Sequence, residues 1–181
     1  DGAVSLALTA MLAQKQQQDF TGQRPHWLMG IEAPGMRFNA NALAALALAD
    51  VIGVQGASSR EVLRSFTGLT HRCQLVAHIS GVDWIDDSKA TNPHAAMAAL
   101  KGLDCSVVLI AGGSEKDSSF EAFGAAIGNH TRAVVATGET AERILGSVPA
   151  GHPSVHAKSF EEAVRAAFGL AKTGDTVLLS P

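Results

Sequence analysis

An acid, two hydroxyl groups and a lysine lie within the five residues Asp87–Thr91. A set of side chains of this kind can hold a ribose, a phosphate or a carboxylate. The preceding segment, Val82–Ile85, is typical of a short β-strand, and Asn92 followed by Pro93 is typical of an N-cap with proline at the first helical position. The polar residues are therefore predicted to lie in a loop between a strand and a helix.

A second polar loop is predicted at Ala111–Lys116, directly after an apolar segment. Gly112 and Gly113 would let backbone amides approach a ligand, and Lys116 would add a positive charge. In an open α/β sheet, loops at the carboxyl ends of parallel strands line the crevice in which ligands bind. The alternative interpretation is that the side chains of Asp87–Thr91 only cap the helix and satisfy the turn, while the lysines are solvated. The spacing alone leaves both interpretations open.

From Leu69 onward the sequence alternates between predicted strands and predicted helices. The strands are predicted at Cys73–Ile79, Val82–Ile85, Val107–Ile110, Ala133–Ala136, around Val155 and at Thr176–Leu179. The helices are predicted at Pro93–Leu100, after a capping box Ser118-x-x-Glu121, at Ala141–Leu145 and from a capping box Ser159-x-x-Glu162 through Ala171. Parallel strands joined by right-handed helical crossovers are the economical assembly of this order, with the first two strands as a hairpin-like pair. An α/β fold with a Rossmann-like, mostly parallel sheet is predicted.

The sequence before Leu69 has a different character. Asn41–Asp50 predicts a helix rich in alanine and leucine, and Ser58-x-x-Glu61 predicts a capping box for a second helix that stops at Gly68. The inner face of this second helix is predicted to carry Val62, Leu63 and Phe66. Asp1–Gln18 predicts a further helix, and Phe20–Pro34 predicts a loop with one short strand. A domain boundary is therefore expected near Gly68.

Composition and charge exclude several functional classes. The 181 residues are 46% hydrophobic and 17% charged, which is enough for a packed core. A formal charge of −3 gives no electrostatic reason to expect binding to nucleic acid or to an anionic membrane. Cys73 and Cys105 are predicted to be free thiols, and none of the seven histidines has a second ligand at metal spacing, so no metal ligand is predicted.

The run Asp87–Asn92, with Gly-Val-Asp-Trp-Ile at 81–85 and Phe-Thr-Gly-Leu-Thr-His-Arg at 66–72, closely resembles the D-glutamate-adding members of the Mur ligase family of peptidoglycan synthesis. The resemblance extends from about Gly35 to Pro181. It implies that residues 1–68 are the end of the central ATP-binding domain and that 69–181 are a truncated C-terminal domain.

The activity implied by the resemblance is that of a cytoplasmic, ATP-dependent amide ligase. Such an enzyme phosphorylates UDP-N-acetylmuramoyl-L-alanine and joins D-glutamate to the acyl phosphate, with Mg²⁺ as the metal. Two alternatives remain: a Mur ligase or folylpolyglutamate synthase with a different acceptor, or a non-catalytic nucleotide-binding module that has kept the fold.

The resemblance also assigns residues to the nucleotide. It implies that Asn41 lies near the adenine, that Arg72 and Lys89 contact the nucleotide, and that Asp87 binds ribose hydroxyls; Lys89 is also the one candidate for a catalytic role. At 37–41 the chain departs from the family's His-Asn-x-x-Asn pattern and keeps only the last asparagine. Phe38 either stacks on the base or packs inward, and packing is favoured.

For the amino acid, the resemblance implies that Thr91 and Lys116 contact D-glutamate. The family's phosphate loop, its carbamylated lysine and its metal ligands match no residues of this chain and are expected upstream. A serine and a phenylalanine that help hold the glutamate side chain are expected beyond Pro181. We therefore expect the full-length protein to be active and monomeric, and the isolated chain to be inactive.

Overall fold

The computed structural model describes residues 39–66, 69–114 and 119–181. The chain divides between residues 68 and 69 into two units. The helix predicted at Asp1–Gln18, the loop predicted at Phe20–Pro34 and the two positions considered for Phe38 lie outside the described residues.

Two helices form the described part of the first unit. Helix α1 spans Asn39–Val51 and confirms the helix predicted at Asn41–Asp50; helix α2 spans Gly56–Ser65. The predicted capping box at Ser58 is wrong, because α2 begins two residues earlier and its N-cap is Gln55, which makes no side-chain cap bond. Ser58 therefore lies inside the first turn.

The predicted inner face of α2 is also wrong. The helix ends at Ser65, its C-cap is Phe66, and none of its residues is buried. Val62 is 63% exposed. Gly68, the predicted stop, lies outside the described residues.

The second unit has an α/β fold, as predicted. Its strands are β1 (Gln74–Ile79), β2 (Val82–Asp86), β3 (Val107–Gly113), β4 (Thr131–Gly138), β5 (Ser154–His156) and β6 (Thr176–Leu179). Its helices are α3 (Pro93–Lys101), α4 (Glu121–His130), α5 (Ala141–Ser147) and α6 (Phe160–Leu170). No helix in the described ranges has the length and apolar composition that crossing a membrane requires.

The sheet order is β1-β2-β6-β3-β4-β5. Strands β1 and β2 pair antiparallel, and every other neighbouring pair is parallel. The β1–β2 turn has positive φ at both Ser80 (54°) and Gly81 (75°), which is the backbone that a two-residue hairpin turn needs. Because β6 returns between β2 and β3, the carboxyl ends of these three parallel strands lie side by side at one edge of the sheet.

Helices cover both faces of the sheet, so the central strands are apolar on both sides. In β3, Leu109 packs into one core cluster while Val108 and Ile110 pack into the other. Each of these three side chains is at most 2% exposed. The prediction that this strand is buried on both faces is confirmed.

The two predicted capping boxes of the second unit have opposite outcomes. Ser159 accepts a hydrogen bond from the amide of Glu162 (3.1 Å) and begins α6, as predicted. Helix α4 instead begins at Glu121 with Phe120 as its N-cap, so the capping box predicted from Ser118 is wrong, and Ser118 itself lies outside the described residues. Phe120 packs against Phe123 with ring centroids 6.4 Å apart, which fixes the entry to the helix by apolar contact.

Close packing between α4 and the end of α5 gives a stability prediction. A Cβ added at Gly124 would lie 2.0 Å from the carbonyl oxygen of Ser147, whereas one added at Gly169 in α6 would meet nothing within 4 Å. We expect Gly124→Ala to lower the free energy of unfolding by about 1–3 kcal/mol or more. Gly169→Ala should raise it by up to about 1 kcal/mol, because alanine is the better helix former. Urea unfolding followed by circular dichroism compares the two, and equal midpoints would show that the α4–α5 contact is looser than described.

Candidate functional site

A cleft of about 200 Å³ opens at the carboxyl edge of the sheet. Its walls are the loop after β2, the end of β3, the residues after β6 and the first turns of α4 and α5. The lining residues are Ser88, Ala90–Pro93, Ala111–Ser114, Phe120, Phe123, Thr140, Ile144, Ser180 and Pro181. This is the crevice that the sequence predicted for the two polar loops.

The loop after β2 runs into α3 as predicted. The side chain of Asn92 accepts a hydrogen bond from the amide of Ala95 (3.0 Å), and Pro93 is the first helical residue. The helix therefore begins at the cleft, where its first amides add partial positive charge. Thr91 is exposed and lines this wall.

Asp87 is buried and does not cap the helix. One carboxylate oxygen accepts a hydrogen bond from the amide of Cys73 (3.1 Å), and the other accepts one from the hydroxyl of Ser180 (3.2 Å). Its own amide donates to the carbonyl of Leu179 at 2.8 Å. Asp87 thus joins the start of β1 to the ends of β2 and β6, and the alternative of a helix cap is wrong for this residue.

Burial raises the pKa of Asp87, while the hydrogen bonds from Cys73 and Ser180 and the nearby charge of Arg72 oppose the rise. A raised pKa means that the folded state favours the protonated carboxyl group. The stability that Asp87 contributes is therefore complete below its ordinary pKa of 3.8 and is lost as the pH rises through the raised value. At neutral pH the charged group is a cost to the fold.

Replacing Asp87 with asparagine removes that charge and keeps the shape. We expect Asp87→Asn to leave the free energy of unfolding at pH 7 within about 1 kcal/mol of the unchanged protein, or above it. Its stability should also vary less between pH 7 and pH 4. Urea unfolding at the two pH values measures both.

Asp175 provides the matched control. It is also buried, but its bonds from Arg132 (2.6 and 3.0 Å) and from the amide of Lys172 outweigh the opposing effect of burial and lower its pKa. Its contribution is present above 3.8 and is lost as the pH falls through the lowered value. Asp175→Asn should therefore destabilise the protein at pH 7, and equal losses for the two variants would contradict the assignment for Asp87.

Arg72 lies in the turn just before β1, beside the loop that follows β2. Its two neighbours in the sequence have left-handed backbones. His71 has φ 64° and Cys73 has φ 45°, a conformation that costs roughly 1–2 kcal/mol per residue. The side chains of Arg72 and Lys89 are exposed. The carbonyl of His71 accepts a hydrogen bond from the amide of Lys89 at 3.1 Å. The structure thus brings together Arg72, Asp87 and Lys89, which the family resemblance implies contact one nucleotide.

Close packing requires a glycine at Gly112 near the end of β3 and restricts the space at Gly138, the last residue of β4. A Cβ at Gly112 would lie 1.9 Å from the carbonyl oxygen of Thr137, and one at Gly138 would lie 3.1 Å from the amide nitrogen of Gly113. The amide of Thr140 donates to the carbonyl of Gly113 at 3.3 Å, which fixes the loop against the start of α5. The ends of β3 and β4 therefore approach closely, and backbone replaces side chains on this wall of the cleft.

Two of the predicted site residues cannot be compared with the cleft. Asn41 lies in α1 of the first unit, and Lys116 lies outside the described residues.

Sequence reasoning missed Ser180, Thr140 and Phe120 as lining residues. The signal for Ser180 was its position directly after a predicted parallel strand. In the described ranges, no three His, Cys, Asp or Glu side chains lie together as metal ligands would.

Comparison with known proteins shows that the chain is similar to Mur ligases. Residues 71–181 match the family model described as "Mur ligase, glutamate ligase domain". The UDP-N-acetylmuramoylalanine–D-glutamate ligase of Nitrosospira multiformis is 50% identical over 143 residues, which cover 78% of this chain and 30% of that protein. The ligase of the same name from Pseudomonas putida is 44% identical over 155 residues, which cover 83% of this chain and 34% of the relative. The chain thus spans about a third of the length of these relatives.

Among solved structures, E. coli FolC in complex with ADP is similar in fold. The TM-score is 0.61 at 28% identity, with 78% of this chain and 36% of FolC covered.

Proposed function

The chain belongs to the Mur ligase family, and we propose that it is part of the ligase that joins D-glutamate to UDP-N-acetylmuramoyl-L-alanine in peptidoglycan synthesis. The observation that carries the proposal is the cleft itself, where the loop Asp87–Asn92 and the glycines of β3 form facing walls. The relatives that carry this name are 50% and 44% identical to most of the chain.

The proposed reaction activates a carboxylate and then replaces the activating group. ATP transfers its terminal phosphoryl group to the carboxylate of UDP-N-acetylmuramoyl-L-alanine, which yields ADP and an acyl phosphate. The amine of D-glutamate attacks the acyl carbon, the C–O bond to phosphate breaks, and an amide, phosphate and a proton are released. The phosphorylation is needed because a carboxylate oxygen is a poor leaving group.

In this proposal the nucleotide lies at the corner of Arg72, Asp87 and Lys89. The Arg72 guanidinium and the Lys89 ammonium provide positive charge for phosphate oxygens, and lone pairs of Asp87 that its protein donors leave open can accept ribose hydroxyls. Lys89 is the candidate for a catalytic role, through the charge that develops on the transferred phosphoryl group. Asn41 would contact the adenine. That FolC was solved with ADP supports nucleotide binding by this fold.

D-Glutamate is proposed to lie in the cleft. A volume of about 200 Å³ is below the roughly 300–1,000 Å³ of pockets that hold drug-sized ligands, so it suits an amino acid and not a whole nucleotide. Thr91 offers a hydroxyl, Gly112–Ser114 at the end of β3 offer backbone amides, and Lys116 would meet a carboxylate. Both carboxylates of the amino acid need such donors.

We further propose that Mg²⁺ accompanies ATP and that its ligands belong to other parts of the protein. The enzyme is proposed to act in the cytoplasm as a monomer. The described residues contain no acidic or histidine cluster that fits the ion.

The proposal is tested by phosphate release from ATP with the full-length protein that contains this chain. With UDP-N-acetylmuramoyl-L-alanine present, we expect release that requires D-glutamate, and none from the isolated 181-residue chain. A full-length protein that binds ATP but releases no phosphate under these conditions would favour the non-catalytic alternative.

A further inference from the structure

An imidazole–carboxylate pair, His71 and Asp86, lies next to the proposed nucleotide-binding residues Arg72, Asp87 and Lys89. The Nδ1 atom of His71 is 2.7 Å from one carboxylate oxygen of Asp86, and the other oxygen accepts a hydrogen bond from the amide of Ser88 at 2.8 Å. The hydrogen bonds from His71 and Ser88 outweigh the opposing effect of burial and lower the pKa of Asp86. An ionised carboxylate cannot donate, so Nδ1 carries the proton and donates to Asp86.

The same turn is joined to the loop at its main chain. The carbonyl of His71 accepts from the amide of Lys89, and the amide of Cys73 donates to Asp87, each at 3.1 Å. Arg72 lies between His71 and Cys73. Both of its neighbours are therefore held by the loop that carries Asp87 and Lys89.

We propose that His71 and Asp86 are positioning residues, which set the Arg72 guanidinium relative to Asp87 and Lys89 for nucleotide binding. The inference rests on the proposed function, since it presumes that these three residues bind ATP. The left-handed backbone at His71 costs free energy, so the turn needs side-chain contacts to hold it. The hydrogen bond between the His71 imidazole and Asp86 opposes relaxation of this turn.

A second pair on the same hairpin is a matched control. The Nδ1 atom of His78 lies 2.8 Å from a carboxylate oxygen of Asp83, near the opposite end of β1 and β2. The side chains are exposed by 65% and 38%, against 53% for His71 and 18% for Asp86. The chemistry is the same, but no proposed ligand residue flanks His78.

The test measures KM for ATP and for D-glutamate in the full-length protein. We expect His71→Ala to raise KM for ATP by about tenfold, which is about 1.4 kcal/mol, with KM for D-glutamate unchanged. His71→Asn should stay within about twofold, because its Nδ2 is also bonded to Cγ, can donate to Asp86, and asparagine tolerates the left-handed backbone. His78→Ala should equal the unchanged protein. This separation of the two KM values, and its rescue by asparagine, would not follow from a general loss of stability.

Arg72→Ala distinguishes the two ways in which the inference can fail. If Arg72→Ala raises KM for ATP and His71→Ala does not differ from His78→Ala, the positioning role is overturned and the nucleotide site stands. If neither Arg72→Ala nor His71→Ala changes KM for ATP, the proposed nucleotide site is overturned together with the inference. Should His71→Ala fail to fold, Asp86→Asn serves instead: it keeps an oxygen for the Ser88 amide and is expected to raise KM for ATP by about threefold.

Discussion

Replacing Arg72 with alanine in the full-length protein is expected to raise KM for ATP by about tenfold or more and to leave KM for D-glutamate nearly unchanged. A hydrogen bond to a charged group is worth about 1.5–3 kcal/mol, and the tenfold change corresponds to the lower end of that range. Asp87→Asn should act in the same direction, although the fold tolerates it. Steady-state kinetics with each substrate varied in turn gives both values.

Arg165 provides a matched control for Arg72. Its guanidinium is 78% exposed on α6 and pairs with Glu161 one turn away. Arg165→Ala should therefore change neither KM. If the Arg72 and Arg165 variants had equal KM values for ATP, Arg72 would be a solvated surface residue that does not contact the nucleotide.

Replacing Lys116 with alanine is expected to have the complementary effect, a rise of about tenfold or more in KM for D-glutamate with KM for ATP nearly unchanged. The reason is that one carboxylate of the amino acid would lose its ammonium partner. Thr91→Ala should act in the same direction but less, because a neutral hydroxyl contributes less than a charged donor. The measurement is again the two KM values for each variant.

Lys101 is the control for Lys116, since it is exposed in the last turn of α3 and lines no part of the cleft. Lys101→Ala should be neutral. If the Lys116 and Thr91 variants raised only KM for ATP, these residues would be assigned to nucleotide binding instead. If neither KM changed, they would have no role in binding.

The local parts of the site could be predicted from the sequence. Asn92 and Pro93 specify a helix start through cap chemistry that involves only neighbouring residues, and the structure confirms it. The helix start predicted at Ser159 is confirmed for the same reason. Ser58 and Ser118 show where a four-residue motif is insufficient: the helices there begin at positions set by other contacts.

The contacts that assemble the site could not be predicted in this way. Asp87 meets Cys73 and Ser180, which are 14 and 93 residues away in the sequence. Those contacts depend on β6 returning between β2 and β3, and hydrophobic periodicity gives strands but not their order. The pair of His71 and Asp86 was missed because it depends on the pairing of β1 with β2.

The role predicted for Gly112 and Gly113, the last two residues of β3, differs in part from the one that the structure shows. The sequence suggested that Gly112 and Gly113 let backbone amides reach a ligand. The structure shows that Gly112 is first required by the carbonyl of Thr137, which leaves no room for a Cβ. Packing between β3 and β4 thus produces the bare backbone wall that the proposed ligand would use.

The acceptor specificity of the full-length protein tests the proposed function most directly. The protein is incubated with ATP and UDP-N-acetylmuramoyl-L-alanine together with D-glutamate, L-glutamate, L-alanine or a diamino acid, and the product is identified by mass. We predict an amide product with D-glutamate and none with the other three amines. A product with L-alanine or a diamino acid, and none with D-glutamate, would contradict the assignment of this cleft to D-glutamate.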